Sequence, residues 1–146
     1  MKAFRFRLER VLSWRGTQLT LAEAKAEHLL LSLRMAAEAM AEVTERLAAA
    51  QANLGRAPLS TGAELAVFEN SRVWSMREQK RLEARMMELR QSITAQNCCV
   101  AEARRGVKLV ERLKERKYDA WKTEAAHEID ELAAESAIAQ WRRVNP

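Results

Sequence analysis

The side chains best suited to chemistry in this sequence are His28, His127, the adjacent Cys98 and Cys99, and the carboxylates Glu128, Asp130 and Glu131. Acid–base or nucleophilic catalysis needs such groups to converge, as a nucleophile beside its base or as two carboxylates across a substrate. None of the short signatures of that chemistry occurs: no phosphate-binding Gly-rich loop, no Gly-x-Ser-x-Gly, no His-Glu-x-x-His and no dinucleotide fingerprint. Each histidine stands alone and reads as solvated, and the carboxylates read as a solvated helix face. A structural zinc needs four ligands, which two cysteines and two distant histidines do not supply. Neighbouring cysteines within a helix cannot pair without distorting it, so both are expected as reduced thiols, consistent with a cytoplasmic location. The sequence therefore points to a non-enzymatic chain with no metal, no cofactor and no small-molecule substrate.

The elements that carry these residues follow from composition and spacing. Only 4 Gly and 2 Pro occur among 146 residues, with 5% aromatic and 31% charged residues, the profile of long helices or a coiled coil. From Leu8, steps of four and three give one series: Leu8, Leu12, Arg15, Leu19, Ala22, Ala26, Leu29, Leu33, Ala36, Met40, Val43, Leu47, Ala50 and Leu54. Thirteen of these fourteen positions are apolar. A strict 3.5-residue repeat drifts against a straight helix, so it implies supercoiling with a partner helix. The series ends at the one Gly/Pro cluster, residues 55–62. There Gly55 is expected to form a left-handed C-cap, Pro58 to stop the helix, and Thr61 with Glu64 to make a capping box for the next one. A second seam is clean from Leu82 through Met86, Leu89, Ile93, Gln96, Val100, Ala103 and Val107 to Val110. The fold expected is all-α, a single domain over 1–146. Helix one (about 4–54) and helix two (about 63–142), joined by loop 55–62, would pair as an antiparallel coiled-coil hairpin with an overhanging C-terminal helix.

Two stretches depart from this seam. Over Leu65 to Arg81 the seam phase falls on Leu65, Phe68, Arg72, Ser75 and Gln79, which is poorly apolar, while Val67, Val73, Trp74 and Met76 are expected outward or in a local kink. Beyond Glu111, Tyr118, Trp121, Ala125, Ile129, Leu132, Ile138 and Trp141 keep helical spacing with no internal element to cover them. Burial by another protein is the favoured expectation there. Charge is segregated as well. Residues 1–20 carry five basic groups and one acidic, residues 97–117 seven and three, and residues 118–146 three and six. Two basic segments side by side at the open end of a hairpin would suit an acidic protein surface. With Trp14 outward near Phe4 and Phe6, exposed aromatics beside arginines read as a docking edge. No stretch approaches the roughly 20 apolar residues of a membrane span, and Met1 to Val11 lacks the apolar run of a signal peptide.

The ends carry a resemblance. Phe4-Arg-Phe-Arg-Leu-Glu-Arg-Val-Leu-Ser-Trp-Arg15 followed by Ala22-Glu-Ala resembles the N-terminal signature of the FliJ family, the central-stalk proteins of the flagellar type III export apparatus. Leu109 to Lys117, then Glu124 to Ala133, is similar to the family's C-terminal segment; Ala126-His127 departs from the Gln-Lys frequent there. The resemblance implies a stalk similar to the coiled coil of the rotary ATPase γ subunit. Its partners would be the hexameric export ATPase, which it binds and activates, the membrane export gate and export chaperones. It would be cytoplasmic, peripheral at the inner face of the cell membrane. On that reading Arg5, Arg7, Arg10, Trp14, Arg112, Arg116, Lys117 and Trp121 form the ATPase contact, and Phe68, Trp74, Arg81 and Arg85 the export-gate contact. The alternatives are the equivalent stalk of a virulence or symbiosis injectisome and, in another class, a basic coiled coil binding nucleic acid or a membrane surface. The outward aromatics argue against nucleic acid.

Overall fold

In the computed structural model, residues 3–56 and 61–144 are described, and they form two α-helices packed against each other: α1, Glu9–Arg56, and α2, Gly62–Val144. No strand occurs among the described residues. No helix there is long and apolar enough to cross a membrane. The proposed stop at Pro58, within the turn assigned to 55–62, lies outside the described residues.

Helix α2 begins at a capping box. The Thr61 amide donates to Glu64 Oε2 at 2.8 Å and the Glu64 amide donates to Thr61 Oγ1 at 3.3 Å, so two amides without helical partners are satisfied reciprocally. The expectation for Gly55 is corrected. It lies inside α1, which runs on to Arg56, and no described residue has positive φ. The first helix also begins later than the sequence suggested. Residues 3–6 have no regular structure and α1 starts at Glu9, whose amide donates to the Phe6 carbonyl at 3.2 Å. Phe and Arg alternate with period two in this segment, which suits an extended chain and not a helix.

The chain divides into two compact units, one comprising Met1–Thr20 with Glu102–Pro146 and the other Leu21–Ala101. In the second unit every position of the first seam from Ala22 to Leu54 is buried or half-buried, with Ala36 and Val43 deepest. Leu82, Leu89 and Val100 of α2 are buried as well, and burial of a side chain such as Leu89 contributes about 2 kcal/mol. Two glutamines on this seam of α2 bond across to α1. Gln96 is buried, and its Nε2 donates to the Ala22 carbonyl at 2.9 Å. Gln79 Nε2 donates to Thr44 Oγ1 at 3.3 Å. A polar residue at a seam position weakens the seam and fixes its register.

The seam was expected to fail between Leu65 and Arg81. Instead α2 passes through without a break and keeps phase from Phe68 onward: Phe68, Arg72 and Gln79 are half-buried and Ser75 is buried at 3% exposure, whereas Leu65, in the first turn of α2, is exposed. Val67, Trp74 and Met76 face outward as expected. The interruption is in the polarity of the seam residues, not in the helix.

Candidate docking surfaces

In the first unit, the alternation Phe4-Arg5-Phe6-Arg7 divides into two sides. Phe4 and Phe6 are half-buried, whereas Ala3, Arg5 and Arg7 are exposed. The phenylalanines lie on α2. Phe4 meets Tyr118 edge-on, ring centres 5.3 Å apart, and Trp121 at 5.9 Å, while Tyr118 and Trp121 stack at 5.8 Å. Such aromatic contacts contribute about 0.5–1.5 kcal/mol each beyond the area they bury. Lys114 Nζ sits 6.0 Å from the centre of the Phe6 ring and 2.8 Å from Glu9 Oε2. That lysine occupies the seam phase where the apolar pattern stops. Its charge is met by a carboxylate and a ring face.

This packing corrects one expectation. Tyr118 and Trp121 were thought to have nothing in the chain to cover them, yet the extended residues Phe4 and Phe6 do so in part, leaving Trp121 half-buried. Farther along, Ile129, Leu132, Ile138 and Trp141 remain exposed.

Between the N-terminal segment and α2 lies an open cleft of about 770 Å³, lined by Phe4, Phe6, Leu8, Leu113 and Trp121 with Arg5, Arg7 and Lys117. Four of the eight residues assigned to the first surface, Arg5, Arg7, Lys117 and Trp121, thus share one cleft with an apolar floor and basic groups. Arg10, Trp14, Arg112 and Arg116 are exposed and do not line it. Trp14 instead carries the Arg15 guanidinium 5.3 Å above its ring. Sequence reasoning left Leu113 out of the surface, and it expected Phe4 and Phe6 as exposed aromatics near Trp14, whereas both are half-buried. The period-two alternation of Phe and Arg was the signal that could have placed the phenylalanines.

The second surface lies in the other unit. Trp74, Arg81 and Arg85 fall on one outward face of α2, seven and then four residues apart, and all are exposed. Phe68 does not join them. It sits on the seam, half-buried, and lines a shallow groove with Ala50, Leu54, Val67 and Ser71. Arg81 pairs with Glu78, and Arg85 with Glu88 at 3.5 Å, so neither guanidinium is uncompensated. Nearby, Arg72 grips Glu69 with two bonds, Nη2 to Oε1 at 2.6 Å and Nε to Oε2 at 2.9 Å. The hydrogen bond holds the Glu69 carboxyl below its ordinary range and raises the Arg72 guanidinium.

The residues first considered for chemistry do not converge. Cys98 and Cys99 are free and exposed, and His127 Nδ1 lies 3.2 Å from Glu131 Oε1, one turn along the same helix. Among the described residues no three His, Cys, Asp or Glu side chains are grouped to hold a metal ion. What these surfaces can do is bind: an apolar floor edged by arginines suits a partner presenting an apolar side chain among carboxylates. No protein-family model, curated protein or solved structure matches the chain.

Proposed function

We propose that the chain is a non-enzymatic central stalk of the flagellar type III protein export apparatus. In this role it binds and activates the hexameric export ATPase and links it to the export gate and to export chaperones. The fold that serves this role is an antiparallel coiled-coil hairpin with an overhanging C-terminal helix. Support for the pairing comes from contacts within each unit. Thr44 meets Gln79 while Ala22 meets Gln96, and Glu9 meets Lys114 while Arg15 abuts Gly106. In both units, position rises along one helix as it falls along the other.

The observation that carries the functional reading is the cleft of Arg5, Arg7, Lys117 and Trp121. It is built from the two segments whose sequences resemble the FliJ family, and it joins an apolar floor to positive charge. The ATPase would present an acidic, apolar-studded surface to it. Arg10, Trp14, Arg112 and Arg116 would serve as outlying charges that steer approach. Trp74, Arg81 and Arg85 would form the export-gate contact, with Phe68 supporting the helix from its inner side.

The test is ATP hydrolysis by the cognate export ATPase with and without the chain, together with the size of the ATPase in solution. Stimulation with hexamer formation, reduced by Arg5→Glu with Lys117→Glu, is the expected result. No effect at saturating concentration would remove the stalk reading and leave a helical binding protein of another pathway.

A further inference from the structure

Helix α1 carries a second apolar stripe, on the side facing away from α2. Leu21, Ala24, His28, Leu31 and Met35 follow one another in steps of three and four, and all are exposed, Leu21, Leu31 and Met35 at 59%, 52% and 61%. This is again a 3.5-residue repeat, the spacing that seats one helix along another. The stripe lies wholly in the unit Leu21–Ala101 and is separate from both surfaces assigned above. Only the α1–α2 seam uses the other side of the helix.

We infer that this stripe pairs with the same stripe of a second copy of the chain, the two α1 helices running antiparallel across a two-fold axis. The occupant and its direction are chosen by charge. In a two-fold interface, if one residue meets another, the reverse contact is made as well. Setting Leu31 against His28 of the second copy places Met35 against its Ala24. The residues flanking these layers are then Glu27 and Arg34, and each Glu27 faces the Arg34 of the other copy, giving two opposite-charge pairs per dimer. In the parallel arrangement Glu27 would face Ser32, and no opposite charges would meet across the stripe. Both Glu27 and Arg34 are exposed and so available for these pairs. The large-against-small alternation, Met35 on Ala24, lets the helices approach closely as knobs and holes require. The stripe fades at Glu38 and Glu42: in this register Leu21 faces Glu38 of the second copy, so the apolar layers end at Ala24 and Met35.

The test is sedimentation equilibrium of the full chain over a range of concentrations, with helicity checked by circular dichroism for every variant. A monomer–dimer equilibrium is expected, abolished by Leu31→Glu with Met35→Glu. Glu27→Arg alone and Arg34→Glu alone each face like with like twice, and should weaken the dimer by roughly tenfold. Mixed in equal amounts, the two variants should recover native affinity, because their heterodimer restores both opposite-charge pairs. A wild-type chain that stays monomeric throughout overturns the inference. So does a dimer indifferent to the glutamates at 31 and 35, or a mixture no tighter than its components.

Discussion

Two glycines in the same unit offer a controlled comparison of backbone propensity with side-chain space. Gly16 lies inside α1 and Gly106 inside α2, and glycine within a helix is less favourable than alanine by about 0.8–1 kcal/mol. A Cβ added at Gly16 would meet nothing within 4 Å. One added at Gly106 would lie 3.2 Å from Arg15 Nη1, 3.5 Å from its Cδ and 3.6 Å from its Cζ. Gly16→Ala should therefore raise the unfolding free energy by nearly the whole propensity difference, about 0.8–1 kcal/mol. Gly106→Ala gains the same backbone term, but the Arg15 side chain must give by a few tenths of an ångström, which disturbs its guanidinium 5.3 Å over Trp14. That stack is worth about 0.5–1 kcal/mol at an exposed site, so the net gain should fall to a few tenths at most.

The assay is urea unfolding of the wild type, both single variants, Arg15→Ala and the double variant Gly106→Ala with Arg15→Ala. Once Arg15 is shortened, Gly106→Ala should recover the full gain, a coupling between positions 15 and 106 of about 0.5–1 kcal/mol. Because both glycines belong to one unit, the comparison survives even if the two units unfold separately. A Gly106→Ala variant as stable as Gly16→Ala in the wild-type background, with no coupling to Arg15, would refute the reasoning.

Gln96→Ala should cost about 1–3 kcal/mol, since it removes a buried amide and leaves a cavity at the seam. Gln96→Leu should cost little in thermal unfolding while loosening the register fixed by the bond to the Ala22 carbonyl. Thr61→Ala breaks half of the capping box and should lower stability by about 1 kcal/mol, with early fraying of α2 seen by hydrogen exchange at its first turn. Phe4→Ala should shift Trp121 fluorescence toward that of solvated tryptophan while leaving the helical signal nearly intact, because the lost contacts are confined to the N-terminal segment. Glu69 is held below its ordinary value of 4.5 by Arg72. Its contribution is present above that value and is lost as pH falls through the depressed folded pKa. An NMR titration of Glu69 should show the carboxyl returning toward the ordinary range in Arg72→Gln, and an unchanged titration would argue against the paired geometry.

Periodicity made the central packing legible because a 3.5-residue repeat reports both the secondary structure and the side that is buried. Leu29, Leu33, Ala36, Met40 and Val43 all lie where that repeat places them. The same reasoning faltered where inward positions are polar. Arg72, Ser75 and Gln79 looked like a break, yet a helix keeps its phase through hydrogen bonds within its own backbone, and neighbouring turns hold polar residues inward. Capping chemistry was equally readable at Thr61 and Glu64, where two specific bonds decide the outcome. At Gly55 the residue type permits a left-handed conformation but does not demand it, and the helix continued. The first cleft was legible only in part. The two seams placed residues 1–20 beside 97–117, but the particular contacts of Phe4 with Trp121 and Glu9 with Lys114 join residues more than a hundred positions apart, and no local spacing specifies which side chains meet.

Two helices in contact can cover only one side of each other, and this limits what the chain can do alone. Among the described residues even Leu89, the best-buried apolar side chain, owes its position to a single seam, and no large side chain there is wholly enclosed. The remaining circumference has either to be polar or to meet another protein. In this chain it is mixed: apolar groups at Trp14, Trp74 and Trp141 stand among arginines, and Leu21, Leu31 and Met35 stand beside Glu27 and Arg34. An exposed apolar group costs solubility when it stands alone in water, whereas charge beside it gives a partner direction as well as contact area. On the proposed reading, the functional content of the sequence lies in the residues that the seam does not use. The helices fix the spacing of those residues, and partners of opposite charge would complete the burial that a single seam leaves unfinished.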